Sequence, residues 1–549
     1  MYITDILTKT KSGKISHRCT LLREAYRKDG KNKNRTIANL THCDPKEVEA
    51  LRLALKYKYD LTELASVKEV ELRQGMSIGA AWLITRIAKK TGIEKALGAD
   101  RQGKLALWQI CARIIDQGSR LSAVRLAGIH AACDILGITE TFTEDHLYKN
   151  LTWLADHQKV IEERLFRTRT TKPELFLYDV TSSYLEGKQN VFAGWGYNRD
   201  KKSGKKQIVA GLLCDEEGDP VSIELFKGNT RDPSTFESQV KKTAERFGCN
   251  RVTFVGDRGM VKSGQIKILK EAGFHYITAI TKPEIETLLK NGIIQMELFE
   301  DSLCEVVHDD IRYILRRNPK RAQEIEEVRA GKKEAVLQLL GKKNIHLASH
   351  PGAHVDVAVR DVEQKIRRLK TEKWLTVSFT GRTLSLIENA DALQKEAKFD
   401  GCYVIKSDLP EIDKAVIHRR YKDLAMVEEA FRTSKTDFLE LRPWNVRTEE
   451  STRGHALVVM LAYMLIRYLK KAWASLDITV EEGIHALSSL TSIEMVIRDK
   501  GSSHHIPAPQ GIMAQLLTTV RVTLPKALPH LGVVVDSRKK LQNRRKLKK

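Results

Sequence analysis

The sequence predicts an α/β protein: a mixed sheet flanked by helices, interrupted by an α+β insertion and preceded by a mainly helical N-terminal region. Three observations predict it. Helical periodicity runs from Pro45 to about Arg167. Five short β-rich runs follow Pro173, and charged helices with isolated strand-like pieces break that pattern from residue 283 to about 400. With 549 residues the chain needs more than one core, so two to four domains are expected, and 42% hydrophobic with 30% charged residues excludes a collagen-like or wholly disordered chain.

In chain order, residues 17–40 (HRCTLLREAYRKDGKNKNRTIANL) read as two strands around the turn KDGKNKN, a basic hairpin. AAWLITRIAKKTGIEKAL, LALWQICARIIDQ and EDHLYKNLTWLADHQKVIEERLF then carry apolar residues at three- and four-residue spacing, as helices do. LFLYDVTSSYL, QIVAGLLC, PVSIELFKG, RVTFVGDRG and HYITAI are the five strands. STFESQVKKTAERFG fits a helix between the third and fourth, and VKSGQIKILKEAG one between the fourth and fifth. Three consecutive strands and then strand–helix–strand indicate a mixed sheet covered by helices. NPKRAQEIEEVRAGKKEAVLQLLGKK and DVEQKIRRLKTEK are the charged helices that follow, with WLTVSF, TLSLIE and GCYVIKSD as strand-like pieces. After Pro410 the chain is helical through about Leu469.

The resulting divisions are 1–44 (basic hairpin), 45–170 (helical), 171–282 (first part of the sheet domain), 283–400 (insertion), 401–475 (second part) and 476–549 (helical, with a basic tail). The tail, SRKKLQNRRKLKK, holds eight basic residues in thirteen, as a polyanion-binding arm would. Lys and Arg outnumber Asp and Glu by 93 − 70 = 23, which favours an acidic polymer, most commonly nucleic acid, as partner. None of the eight cysteines forms a C-x-x-C pair, so reduced thiols are expected. The N-terminus has no apolar h-region, and the longest apolar run, Ala456 to Ile466, suits a buried helix better than a bilayer span. A cytoplasmic protein without membrane contact, nucleoid-associated when bound to DNA, is the expectation.

Candidate chemistry begins with Asp179, which ends the apolar run LFLYD. A carboxylate there needs a metal ion or an Arg/Lys beside it, unless it caps the following turn. Asp257 repeats the pattern at the end of VTFVGD, with Gly256 and Gly259 beside it for a tight turn, and a turn role is again the alternative. Two strand-end carboxylates in one sheet suit hard divalent cations. In HRRYKDLAMVEEAFRTSKTDF, Tyr421, Glu428 and Lys435 are spaced by seven, and seven steps of about 100° fall within about 20° of two turns. They share a stripe with Leu424 and Phe431 beside it, while Glu429 lies about 100° away. An amphipathic helix with charged borders is the alternative. GWGYNR lacks the third glycine of a dinucleotide fingerprint, no Walker A sequence occurs, and His346, His350, His354, His504 and His505 read as loop histidines.

Together these residues resemble the DDE-type transposases of bacterial insertion sequences, in the group with a Y-(2)-R-(3)-E-(6)-K signature. Tyr421, Glu428 and Lys435 fit that spacing, and Leu424 stands where the signature has Arg. FLYDVTSSYLEG is similar to the family's first-aspartate segment, VGDRGM to its second, VSIELFKGNTRDPSTF to the stretch ending in G-N-T, and LRPWNVRTEESTRGHALVVMLAYML to the block after the glutamate. The likeness runs from about Leu105 to Leu469. It implies a ribonuclease-H-like sheet enlarged by an insertion between Asp257 and Glu428 (428 − 257 = 171). It implies that Asp179, Asp257 and Glu428 are catalytic and hold two Mg²⁺, for which Mn²⁺ can substitute, with Tyr421, Lys435, Arg258 and Arg432 as contacts to DNA phosphate. It further implies metal-dependent strand cleavage and transfer of the freed 3′-OH to target DNA, terminal inverted repeats read by residues 1–170 (a helix–turn–helix within 104–135 among the options), and a homodimer on double-stranded DNA. A nuclease that cuts without joining and a non-catalytic DNA-binding descendant are the rivals.

Overall fold

A computed structural model of the chain describes residues 1–9, 15–28, 30–58, 70–187, 189–197, 199–200, 202–435, 439–441, 444–497, 501–535 and 537. The basic tail, apart from Ser537, lies outside the described residues. The chain opens with β1 (Tyr2–Lys9), β2 (Ile15–Lys28) and β3 (Lys31–Asn39), an antiparallel sheet in that order, and then α1 (Pro45–Lys56). The hairpin is longer and its strands stay paired further toward the tip than the sequence suggests: Lys28 pairs with Lys31, and Gly30 has φ +73°. A left-handed residue there matches the twist of the flanking strands.

β4 (Val70–Ser77) interrupts the expected helical region and leads into α2 (Gly79–Lys90), α3 (Ile93–Leu97), α4 (Arg101–Ile115), α5 (Arg120–Ile129), α6 (Ala132–Leu136) and α7 (Glu144–Arg167). Residues 104–135 do contain two helices with a short connection, α4 and α5. Almost all of α4 is buried, however, and Arg120, which opens α5, is buried with its guanidinium 3.0 Å from His455 Nδ1.

Next come β5 (Leu175–Tyr184), β6 (Gln207–Asp215), β7 (Pro220–Lys227), α8 (Asp232–Lys241), β8 (Thr253–Gly256), α9 (Ser263–Glu271) and β9 (His275–Ala279), the five strands and two helices expected. In the sheet β5 lies at the centre, antiparallel to β6, which is antiparallel to β7. On its other side β5 is parallel to β8, and β8 to β9. α10 (Lys282–Lys290), β10 (Cys304–His308) and β11 (Ile311–Arg317) follow. With β14 (Cys402–Ser407) these two strands extend the same sheet to eight, in the order β10-β11-β14-β9-β8-β5-β6-β7. The rest of the 283–400 stretch, α11 (Pro319–Ser349), α12 (Val355–Leu369), the hairpin β12 (Leu375–Thr380) and β13 (Thr383–Glu388), and α13 (Ala390–Ala397), closes around its own small core of Val336, Leu340, Val362, Ile366 and Trp374.

The chain ends in α14 (Lys414–Lys422), α15 (Leu424–Lys435), α16 (Glu449–Ala472), α17 (Val480–Ser488), β15 (Thr491–Ile497), β16 (Gly501–His505) and α18 (Gly511–Thr519). The C-terminal region is therefore not purely helical: β15 pairs with β16 and with β4, so His504 and His505 stand on a strand. His346 likewise lies in the last turn of α11 rather than in a loop.

The large sheet is covered on both faces. Phe176, Tyr178 and Val180 of β5 pack with Phe236 and Phe254 under α8 and α9. Leu175 and Leu177 join a core shared with α15, α16 and the N-terminal helices. Residues 454–466 of α16 are nearly all buried, as their composition predicts, and among the described residues no helix is long and apolar enough to cross a membrane. All eight cysteines are free.

Candidate active site

Strand pleat decides where Asp179 points. Successive side chains alternate faces, so Asp179 follows Leu175 and Leu177 toward the α15 side. Asp257, two residues past Val255, does the same from β8. Asp179 is not at a strand end, since β5 continues to Tyr184 paired with β6. It stands one residue beyond the last pair that β5 makes with β8, Tyr178 with Gly256. Strand β8 stops there, and the crevice that opens beside β5 is a topological switch point, where α/β sheets place ligands.

Asp257 begins the turn that ends β8. Its carbonyl accepts from Met260 N–H at 3.0 Å, with Gly259 at φ +90°, a conformation that strains any residue with a Cβ. Gly256 serves differently: a Cβ there would come within 2.8 Å of Val261. Asp257 is exposed, and its Oδ1 accepts from Arg258 N–H at 2.7 Å and from the Tyr421 hydroxyl at 3.1 Å.

The third carboxylate arrives on a helix that the sequence shows as one and the structure as two. α14 ends at Lys422, Asp423 makes the bend, and α15 begins at Leu424. Tyr421 thus belongs to α14, and Glu428 and Lys435 to α15. The stripe is not uniformly buried: Leu424 and Phe431 are, Tyr421 and Lys435 are half-buried, and Glu428 is exposed on the crevice. Leu424, at the signature's Arg position, is a core residue. Glu429 is tied to Lys470, which leaves Glu428 as the carboxylate facing the two aspartates.

Charge links the four side chains. Burial pushes the Asp179 carboxyl up to about 7; Val180 N–H and Arg199 oppose the shift, while Asp257 and Glu428 add to it. Asp179 keeps some exposed surface as a residue, but its carboxyl end is closely ringed by protein. Burial likewise raises the Tyr421 hydroxyl, with Asp257 and Glu428 contributing and Arg258 opposing. Three carboxylates gathered so that Asp257 and Glu428 add to the upward shift of Asp179 form a donor set suited in kind to hard divalent cations. Among the described residues no group of three His, Cys, Asp or Glu is arranged to hold an ion as it stands, Asp179 Oδ1 being turned to Val180 N–H and Asp257 Oδ1 to Tyr421.

Asp179, Asp257, Glu428 and Tyr421 are brought together, with Arg258 exposed on the rim. Arg432 is exposed one turn beyond Glu428, and its charge acts on Glu429. Lys435 is directed elsewhere. Its ammonium donates to the Ser182 carbonyl at 2.5 Å and lies 3.5 Å from Asp200, whose side chain is 3% exposed. Lys435→Ala is therefore expected to lower stability by about 1.5–3 kcal/mol, and Asp200→Asn in the same chain to restore much of it. Urea unfolding of the single and double variants reads this. A Lys435→Ala chain as stable as wild type but poor in cleavage would instead put the ammonium on DNA phosphate.

One part of the site is not among the residues that the sequence singles out. The loop after β5 bears Trp195 and Tyr197, 63% and 86% exposed, beside a cleft of about 780 Å³. Arg199, Arg231 and Lys262 line this cleft, which reaches Val180 and Gly259 next to the two aspartates. Arg199 also bonds the Val180 carbonyl and, at 2.9 Å, Asp232. Two aromatic residues and an arginine close together in GWGYNR are the signal that could have found it.

Residues 170–465 match the transposase DDE domain, and residues 6–66 match the IS1634 family transposase N-terminal domain. No curated protein matches the chain. Among solved structures, a piggyBac transposase synaptic complex with hairpin DNA aligns with 74% of this chain and 76% of its own at 10% identity and a TM-score of 0.38.

Proposed function

Since the chain belongs to the DDE-domain transposases of insertion sequences, nucleic-acid-cleaving enzymes as a family, we propose that it cuts DNA at the ends of its own element and joins the freed ends to target DNA. One observation carries the reading: Asp179 and Asp257 leave adjacent parallel strands on the face that α15 covers, and α15 presents Glu428 to them. The order third-second-first-fourth-fifth for β7-β6-β5-β8-β9 supports a ribonuclease-H-like catalytic domain.

Asp179, Asp257 and Glu428 would hold two divalent cations, Mg²⁺ by preference and Mn²⁺ as a substitute. Bound there, such ions supply activation of the attacking oxygen and stabilisation of the leaving one. Tyr421 steadies Asp257 through its hydroxyl. Arg258 and Arg432, exposed beside the carboxylates, would take phosphate oxygens, and the cleft with Arg199, Arg231 and Lys262 would take the strand leading to them. Water would attack phosphorus and release a 3′-OH, which would then attack a target phosphodiester. Residues 1–170 would bind the terminal inverted repeats, and a homodimer would cut paired ends together.

The test is incubation of the purified chain and Mg²⁺ with a plasmid carrying the element. Broken ends with 3′-OH termini and joined products are expected. Nicks without joining would favour the nuclease reading, and no nicks at all the non-catalytic one.

A further inference from the structure

β1 pairs with β2 only as far as Tyr2 opposite Arg23. Beyond that point β2 and β3 continue alone, so residues 24–35 project as a two-stranded ribbon about 17 Å long. Its tip is solvent-exposed from Ala25 onward and on the return strand from Lys31.

The register sorts the tip into two unlike faces. Arg27 is opposite Asn32 and Ala25 opposite Asn34, so Arg27, Asn32 and Asn34 share one face. Lys28 is opposite Lys31 and Tyr26 opposite Lys33, so the three lysines share the other. On that second face Arg35 is bonded to Glu24 at 2.6 Å and stands over the Tyr26 ring, which stiffens the stem.

Arg and Asn can bond two atoms of a guanine or adenine edge at once in a fixed planar geometry, whereas a lysine's compact point charge also suits phosphates. A two-stranded ribbon fits a major groove about 12 Å wide. We infer that this tip is the chain's sequence reader for double-stranded DNA. Arg27, Asn32 and Asn34 face base edges, and Lys28, Lys31 and Lys33 reach back to the groove's phosphate walls. The inference rests on the reading of the chain as one that binds specific DNA ends, and it puts the ribbon in place of α4–α5, since α4 is almost wholly buried and Arg120 of α5 is turned inward.

The experiment selects a preferred site for the full-length chain from a randomised duplex library, then measures binding to that site and to a scrambled duplex across salt concentrations. Arg27→Ala/Asn32→Ala/Asn34→Ala should lose roughly five- to 150-fold for each base-edge pair removed while binding the scrambled duplex as wild type does. Lys28→Ala/Lys31→Ala/Lys33→Ala should weaken both duplexes alike and flatten the log–log salt slope by about 0.9 for each phosphate no longer neutralised. Both variants alter the same hairpin, so each controls for the other's folding, and unchanged thermal unfolding completes that control. Site preference surviving the Arg/Asn variant, or that variant losing both duplexes equally, overturns the assignment of the ribbon alone. If the wild-type chain selects no site, the end-binding reading falls with it.

Discussion

Asp179→Asn, Asp257→Asn and Glu428→Gln should each reduce Mg²⁺-dependent strand cleavage to background while DNA binding persists. On the proposed reading each would remove a charged ligand from shared ions, so the loss should exceed the roughly 10–100-fold that follows removal of an outer partner of a metal site. The three substitutions are gentle on the fold for different reasons. Glu428 is exposed, Asn at 257 still accepts from the Tyr421 hydroxyl, and Asp179 is a carboxylate whose ionised form the fold disfavours. With its folded pKa near 7 and its ordinary value at 3.8, the native state binds more protons between those values, so stability falls as pH rises through that window. Asn copies the protonated form. Metal-free Asp179→Asn should therefore melt no lower than wild type at pH 8, and higher if relief of charge dominates. Plasmid nicking and thermal unfolding on the same preparations check both halves. Near-normal nicking by Asp257→Asn would refute the site.

Gly454→Val should cost more than the roughly 1–3 kcal/mol of ordinary overpacking. α16 crosses α7 at Gly454, where any Cβ would collide with the Leu151 carbonyl. That atom is helix backbone and cannot swing aside, so the two helices must separate. They meet in the core formed by Leu151, Leu154, Leu457 and Leu461. The damage should spread to the site, because α16 also holds β7 through Arg453 and Glu224 (3.2 Å) and anchors Glu429 through Lys470. Urea unfolding measures the loss, and a wild-type midpoint would show that the helices do not approach so closely.

What the sequence determined by itself is local. Alternation and β-rich composition marked β5 to β9 and α8 and α9, because side-chain period is a property of consecutive residues. Asp179 and Asp257 stood out because a carboxylate closing an apolar run is conspicuous wherever the strand lies. The long insertion helices and the buried character of α16 were legible for the same reason.

The tertiary structure decided what depends on residues far apart in the chain. β4 is a strand because β15, more than 400 residues further along the chain, pairs with it from Ser77 opposite Thr491 to Val70 opposite Ile497. β10 and β11 joined the main sheet through β14, and nothing in their own spacing named that partner. Seven-residue spacing put Tyr421, Glu428 and Lys435 on one stripe, but packing broke the helix at Asp423, tied Glu429 to Lys470 and turned Lys435 to Asp200. Periodicity tells which face a residue occupies. Which charge waits opposite that face is set by the fold as a whole, because ion pairs and strand partners are chosen in space and not along the chain.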